Sequence, residues 1–421
     1  MKTLNKVNVV AVLKDDSTIT SNLLKEKVKL YLMADGWTKT RYFEEDFQGS
    51  EIEDDVEYVR VDQNDADLKI IDPECEFFLY TLSRKRERGE VDLRGLDSDD
   101  EDEEDEDSIF LSTDLPSAHL EKFWDSLIFN DGLKEDLMNY VFTIMSLHEA
   151  GVDPTLCGAN NIILLHGPPG TGKTSLCKAV AQNATIKLIE KNLFEEGVLV
   201  EVNANSIFSK WFGETGKQVQ KMFGEIKKMM ADPRRMVFVL VDEIESLTSA
   251  RKNSTSGQEC SDAILAVNTI LTEIDKIKTE KNILVLTTTN ITGLIDLAFI
   301  SRVDIKKYIG LPSVEAINQI YKDALLELGE KGVVKNLNLE GNKRGRGKDN
   351  SEILMNLSRE SLGFSGRTLR KIPFISVNYF NFLDNELGDG MESEDFFCFM
   401  EQAIMEEKRE LDRLRYSTNT A

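Results

Sequence analysis

The run Gly167-Pro-Pro-Gly-Thr-Gly-Lys-Thr174 has the spacing G-x-x-x-x-G-K-[ST] of a loop that holds the phosphates of a nucleoside triphosphate. Glycines at 167, 170 and 172 let the backbone curl until successive amide N–H groups face one anion-sized hollow, and a following helix adds the positive end of its dipole. Lys173 supplies a point charge for the β- and γ-phosphates, and the Thr174 hydroxyl suits Mg²⁺. The expected nucleotide contacts are therefore Gly167, Pro168, Pro169, Gly170, Thr171, Gly172, Lys173, Thr174 and Ser175. A glycine-rich turn without a ligand is the alternative. Context opposes it, because Ile162–His166 reads as a buried parallel strand and Ser175 to Gln182 continues as helix.

A second constellation completes a hydrolytic site. Val237-Phe-Val-Leu-Val-Asp242-Glu243 is an apolar strand that ends in two carboxylates. Such a strand delivers both acids to the sheet edge where the phosphate loop lies. Asp242 suits the Mg²⁺ shell, through water, and Glu243 suits the base that orients the attacking water. A pair of capping acids would be the bland reading in isolation. The strand Ile283–Thr288 leads to Asn290, which is placed to hold the lytic water against the γ-phosphate or, more simply, to make a turn.

These groups need a scaffold. The strand-like segments Ile162–His166, Leu199–Val202, Val237–Asp242, Ile283–Thr288 and Ile305–Ile309 alternate with helix-length stretches, which predicts a five-stranded parallel sheet covered on both faces. From Ser313 onward the pattern is helical, as in Ser393 to Glu401, and predicts a third, all-helical domain without strands. Ahead of the sheet, Asn8–Leu13, Leu23–Ala34, Tyr58–Val61 and Phe77–Tyr80 predict a small α+β domain. Ten acidic residues fall between Asp97 and Asp107, a run that repels itself and reads as a linker. The predicted division is 1–96, an acidic linker at 97–118, a large α/β domain at 119–312 and a helical domain at 313–421. Two basic stretches, Arg84 to Arg88 and Gly341 to Lys348, read as solvated surface, with a partner or import patch as the alternative.

Composition excludes several classes. A net charge of −24 over 421 residues opposes a duplex-binding surface. Five cysteines without close pairing argue against a zinc site or disulfide framework and fit a reducing compartment. No signal peptide and no long apolar span are seen, so a soluble intracellular protein is expected, with no direct nucleic acid and no membrane among its partners.

With these motifs in place, the chain resembles an AAA+ ATPase, an α/β module with a helical lid, here preceded by the small α+β domain. The resemblance implies ATP and Mg²⁺ as ligands and adds four features. Arg302, in Leu297-Ala-Phe-Ile-Ser-Arg-Val-Asp304, stands where the family carries an arginine that reaches a neighbouring subunit's γ-phosphate. A local Arg302–Asp304 pair is the alternative, Arg251 is the other candidate, and Phe299 replaces a second family arginine. Arg367, in Gly363-Phe-Ser-Gly-Arg367, stands at the second sensor of the lid, or else on a helix surface. Trp211, Phe212 and Gly213 match an aromatic loop that faces a ring's central pore and grips polypeptide. Phe123 to Phe129 resembles the stretch bordering adenine, with core packing equally open for Trp124.

More narrowly, Leu164 to Lys178, Phe208 to Phe212, Phe238 to Thr248 and Ser365 to Pro373 resemble the pachytene checkpoint protein 2 family. That resemblance implies a homohexamer that engages HORMA-domain clients and a HORMA-fold adaptor through its N-terminal domain and converts closed conformers to open ones. It places the activity in meiotic chromosome-axis control and the spindle checkpoint, at nucleus, chromosomes and cytoplasm. A nucleic-acid motor or clamp loader is the alternative and would want basic channel loops. A non-hydrolysing scaffold would not need Glu243, and microtubule-severing relatives lack the N-terminal strands.

Overall fold

The structure is a computed structural model of the 421-residue chain and describes residues 6–14, 17, 21–35, 41–62, 74–83, 88–90, 110–129, 132–153, 156, 158–203, 215–245, 259–278, 280–290, 297–337, 339, 350–379 and 390–419. The acidic run 97–107 and the basic stretch 341–348 lie outside the described residues.

The N-terminal domain is a four-stranded sheet backed by one helix. Strands β1 (Lys6–Leu13), β2 (Arg41–Phe43), β3 (Val56–Asp62) and β4 (Glu74–Thr81) take the order β2-β3-β1-β4, and α1 (Ser21–Asp35) covers one face. Leu24, Val28 and Leu32, spaced for one helix face, are fully buried with Val9, Ala11, Val59 and Val61. The other sheet face meets the next domain. Val10, Val12, Tyr58, Tyr80 and Leu82 pack with Ile186, and Lys25–Glu190 and Arg60–Asp125 ion pairs cross the same seam.

The large domain adds β5 (Arg88–Glu90), β6 (Phe110–Leu115), α2 (Phe123–Ser126), α3 (Leu133–Glu149), β7 (Ile162–His166), α4 (Lys173–Glu190), β8 (Glu196–Asn203), α5 (Thr215–Met230), β9 (Arg235–Asp242), α6 (Glu259–Ile277), β10 (Ile283–Thr289), α7 (Leu297–Ile300) and β11 (Ile305–Tyr308). Its sheet runs β11-β7-β10-β9-β8-β6-β5. The five expected strands are parallel and adjacent, and two antiparallel strands extend them.

Alternation along β9 builds two cores. Val237, Val239 and Val241 face Val219, Phe223, Ile226, Ile270 and Ile274 of α5 and α6; Met236, Phe238 and Leu240 face α3 and α4 on the opposite side. Every residue of β10 is buried. Both acids therefore emerge at the end of an element that cannot shift without breaking both cores.

Two expectations need correction. The linker predicted at 97–118 contains β6, and β5 lies in what was read as the N-terminal domain; both strands belong to the large sheet. They cover the free edge that β8 would otherwise present. Phe110, Thr113 and Leu115 are buried, but three positions flanked by an acidic run make a weak periodic signal. The final domain is also not purely helical. Among α8 (Val314–Glu330), α9 (Asn350–Glu360), α10 (Gly366–Tyr379) and α11 (Ser393–Asn419) lies a ribbon of β12 (Val334–Lys335) and β13 (Met391–Glu392). Two-residue strands leave no readable alternation.

Candidate active site

The phosphate loop joins β7 to α4 in a conformation that its glycines require. Gly167 has φ +149°, and a Cβ there would lie 2.1 Å from the Ile309 carbonyl oxygen. Gly170 has φ +74°, and its Cβ would lie 2.8 Å from Ser365 Oγ of the lid. The loop is thus pressed between β11 and the third domain. Lys173 opens α4 and is buried, its ammonium donating to the carbonyls of Gly167 at 2.9 Å and Pro168 at 2.7 Å. Burial lowers its pKa; the charge of Glu245, then those of Asp242 and Glu243, oppose that shift.

The two acids are stitched to the neighbouring strand. Thr174 Oγ1 donates to Asp242 Oδ1 at 2.9 Å, and Thr288 Oγ1 donates to the same oxygen. Glu243 has left-handed backbone at φ +55°, and its N–H donates to Thr288 Oγ1 at 3.2 Å. Asn290 Nδ2 lies 3.5 Å from Glu243 Oε1, while its backbone N–H donates to Glu245 Oε1 at 3.0 Å. A left-handed conformation at a non-glycine residue costs roughly 1–3 kcal/mol and persists only where the surroundings impose it.

Lys173, Thr174, Ser175, Asp242, Glu243, Asn290 and Arg367 share one cavity of about 650 Å³, within the range of small-molecule sites. Its other wall is apolar: Phe123, Leu127, Ile128 and Phe129 face Tyr308, Leu311 and Pro312. Cationic and acidic groups at one end and an apolar slot at the other suit a nucleotide, phosphates toward Lys173 and base toward Phe129. The lid closes on this cavity by backbone contact, since the Arg367 N–H donates to the Gly170 carbonyl at 3.0 Å. Arg370 donates to the Ser126 carbonyl.

Arg302 does not line the cavity. Its Nε and Nη2 donate to the Asp275 carboxylate at 2.8–3.0 Å, and Nη1 donates to the Ala298 carbonyl. The considered Arg302–Asp304 pair does not form, because Asp304 accepts from Tyr140 Oη and from the backbone of Asn160 and Ile162. Trp124 also stays out of the cavity: it packs on the α3–α4 core beneath the Lys134 ammonium, 5.0 Å from the ring centroid. Trp211, Phe212, Gly213 and Arg251 lie outside the described residues.

Three site groups escaped the sequence reading. Thr288 and Glu245 hold the catalytic strand ends, and Arg370 ties the lid to α2. The threonine run 287–289, closing a strand otherwise made of Ile, Leu and Val, was the one available signal. The donor set fits Mg²⁺: a threonine hydroxyl and a carboxylate at hydrogen-bond distance are hard oxygen ligands of the kind that ion takes beside phosphates.

The comparisons with known proteins agree with this geometry. The model of the ATPase family associated with various cellular activities (AAA) matches residues 163–311, and the TRIP13-like AAA+ ATPase lid C-terminal domain matches residues 313–408. The Pachytene checkpoint protein 2 homolog of Danio rerio is 42% identical over 305 residues, which cover 70% of this chain and 70% of that protein. The homologs of Rattus norvegicus and Homo sapiens are 46% identical over 271 residues, 62% of this chain and 62% of each relative, so the match spans less than two thirds of those proteins. Among solved structures, C. elegans PCH-2 aligns with a TM-score of 0.73 at 27% identity, covering 96% of this chain and 100% of that one. A chain of the E. coli HORMA:CdnC:Trip13 complex aligns with a TM-score of 0.53 at 19% identity over 70% of this chain and 93% of its own, a likeness of fold. Among the described residues no helix is long and apolar enough to cross a membrane.

Proposed function

The chain belongs to the pachytene checkpoint protein 2 family of AAA ATPases, and from that membership we propose that it hydrolyses ATP to remodel a folded protein client. The observation that carries this reading is the convergence of Lys173, Thr174, Asp242, Glu243, Asn290 and Arg367 on one cavity. Lys173 and Arg367 stabilise the charge of the phosphoryl group in transfer, and Glu243, held near Asn290, orients and deprotonates the attacking water. Thr174 and Asp242 would hold Mg²⁺, which when bound neutralises charge on the phosphate oxygens. Arg302 leaves Asp275 to reach the nucleotide of an adjacent subunit, so hydrolysis depends on assembly into a homohexamer.

In that ring Trp211, Phe212 and Gly213 form the pore loop, and the two aromatic side chains grip the client by apolar contact. The clients are HORMA-domain proteins, brought by a HORMA-fold adaptor to the N-terminal domain and converted from closed to open conformers. Support comes from family membership and from the fold shared with the chain of the HORMA:CdnC:Trip13 complex. The same membership supports action in meiotic chromosome-axis control and the spindle checkpoint, in nucleus and cytoplasm.

The decisive variant is Glu243→Gln, which keeps the side-chain shape and removes the base. It should bind ATP, lose at least ~10²-fold in turnover, and accumulate as a ring that retains its HORMA client in size-exclusion chromatography. A variant that binds ATP but stays monomeric and client-free refutes the remodelling reading.

A further inference from the structure

The catalytic carboxylates do not hold their own positions. Glu243 is the residue after β9, in left-handed backbone, and its amide donates to the Thr288 hydroxyl at 3.2 Å. The same oxygen donates its proton to Asp242 Oδ1, which also accepts from Thr174. Directly behind, the Thr288 carbonyl accepts from the Ile244 N–H at 3.0 Å. Thr288 is 1% exposed and lines the nucleotide cavity. A hydroxyl is the smallest group that accepts and donates at once, and this one spends both capacities on the two acids.

Thr287 supplies the contrast. It is equally buried, but its hydroxyl donates to the Ile163 carbonyl and so satisfies a bond within the sheet. Two adjacent threonines thus occupy one buried strand, one serving the sheet and the other serving the acids. A strand position buried this deeply ordinarily takes Val or Ile, which are isosteric or larger and need no partner.

We propose that Thr288 is a positioning residue for ATP hydrolysis, its one hydroxyl fixing the backbone that carries Glu243 and the carboxylate of Asp242. The proposal rests on the hydrolytic roles given above to those two acids. Without the hydroxyl the Glu243 amide loses this bond, leaving the turn the main-chain tie through Ile244, and the Asp242 carboxylate loses one of the two donors that fix it. Misplacing a catalytic group by about an ångström costs on the order of 10²-fold in rate. Metal-free nucleotide binding rests on the phosphate loop, whereas the part that needs Mg²⁺ rests on Asp242, which Thr288 holds.

The test compares Thr288→Val, Thr288→Ser and Thr287→Val with the wild-type chain and Glu243→Gln. For Thr288→Val, kcat should fall roughly ten- to a hundredfold, with any rise in KM for ATP no larger than the loss of Mg²⁺ tightening. Binding of a fluorescent ATP analogue in EDTA should be unchanged, whereas the tightening produced by added Mg²⁺ should shrink severalfold. Thr288→Ser, which keeps the hydroxyl, should recover kcat to within about threefold. Thr287→Val should lower the melting temperature and leave kcat and the Mg²⁺ response within about twofold. Thr288→Ala serves the same comparison if the valine variant does not fold. A folded Thr288→Val protein with wild-type kcat and Mg²⁺ response overturns the proposal, as does a serine variant no better than valine. If Glu243→Gln also turns over normally, the hydrolytic reading of the site fails with it; if Glu243→Gln is inactive, only the role of Thr288 is lost.

Discussion

Glu245→Gln isolates an interaction that lies outside the phosphate loop and the Asp242-Glu243 pair. Glu245 is buried at 8% exposure, two residues beyond Glu243, and it touches the site in two ways. Its Oε1 accepts the Asn290 N–H at 3.0 Å, and its charge is the foremost of those opposing the effect of burial on Lys173. Glutamine keeps an oxygen for Asn290, so the strand ends stay joined. Replacing a charged acceptor, worth ~1.5–3 kcal/mol, by a neutral one, worth ~0.5–1.5 kcal/mol, removes about 1 kcal/mol. For a domain of this size that is roughly 2–4 °C in melting temperature. The second effect has a definite sign. Lys173 binds phosphate in its charged form, which exists below its pKa, and burial already sets that pKa under the ordinary lysine value. Removing the Glu245 charge lowers it further. The alkaline loss of nucleotide affinity should therefore begin closer to neutrality in the variant. The assay is equilibrium binding of a fluorescent ATP analogue across neutral to alkaline pH, in EDTA, beside a thermal melt. An alkaline limb that stays in place or moves upward refutes the claim that Glu245 supports the charge on Lys173.

Two further variants probe the loop and the arginine. Gly167→Ala places a methyl 2.1 Å from the Ile309 carbonyl oxygen at φ +149°, so the loop or β11 must move; nucleotide affinity should fall more than ~10-fold and the melt by several degrees, since the backbone conformation alone costs ~1–3 kcal/mol, and unchanged binding in a titration would show the loop to be adaptable. Arg302→Ala should lower the concentration-dependent ATPase rate by ~10³-fold. Asp275→Asn, whose carboxylate Arg302 holds below its usual pKa, should lose under ~1 kcal/mol because the pair is partly exposed, and should keep that rate; equal losses in both variants would make the arginine a local brace.

How much of this was legible beforehand follows from what each signal depends on. The phosphate loop, the Asp-Glu strand end and Asn290 were readable because each pairs a residue type with a spacing set by strand and helix geometry. The five parallel strands were readable because burial on both faces makes continuous apolar runs. Strands β5 and β6 were not, since an edge pair needs only a few buried positions, and here they flank the acidic run. Thr288 and Glu245 were illegible for a different reason: each acts on a backbone amide some 45 residues away in sequence, and amides leave no trace in residue type. Arg302 shows the converse. Its position matched a family pattern, while its partner, Asp275, is set by the packing of α6 against α7, which spacing does not encode.

The apolar wall of the nucleotide cavity shows why motifs alone could not delimit the site. Phe123, Leu127, Ile128 and Phe129 line the cavity, and the short segment bearing them is held from three directions. Arg60 of the N-terminal domain pairs with Asp125 at 2.7 Å, Arg370 of the lid donates to the Ser126 carbonyl, and Lys134 of α3 donates to the Trp124 carbonyl. Two of the three anchors are main-chain carbonyls, which any residue presents, and the third crosses between domains. The same segment's Leu127 and Phe129 also stand within 3.5 Å of where a Cβ on Gly172 would be, in the phosphate loop itself. A shift of the lid relative to the N-terminal domain must therefore be absorbed by α2 and its flanks, the stretch that touches both nucleotide wall and phosphate loop. The shape of this apolar wall is for this reason a property of three domains together.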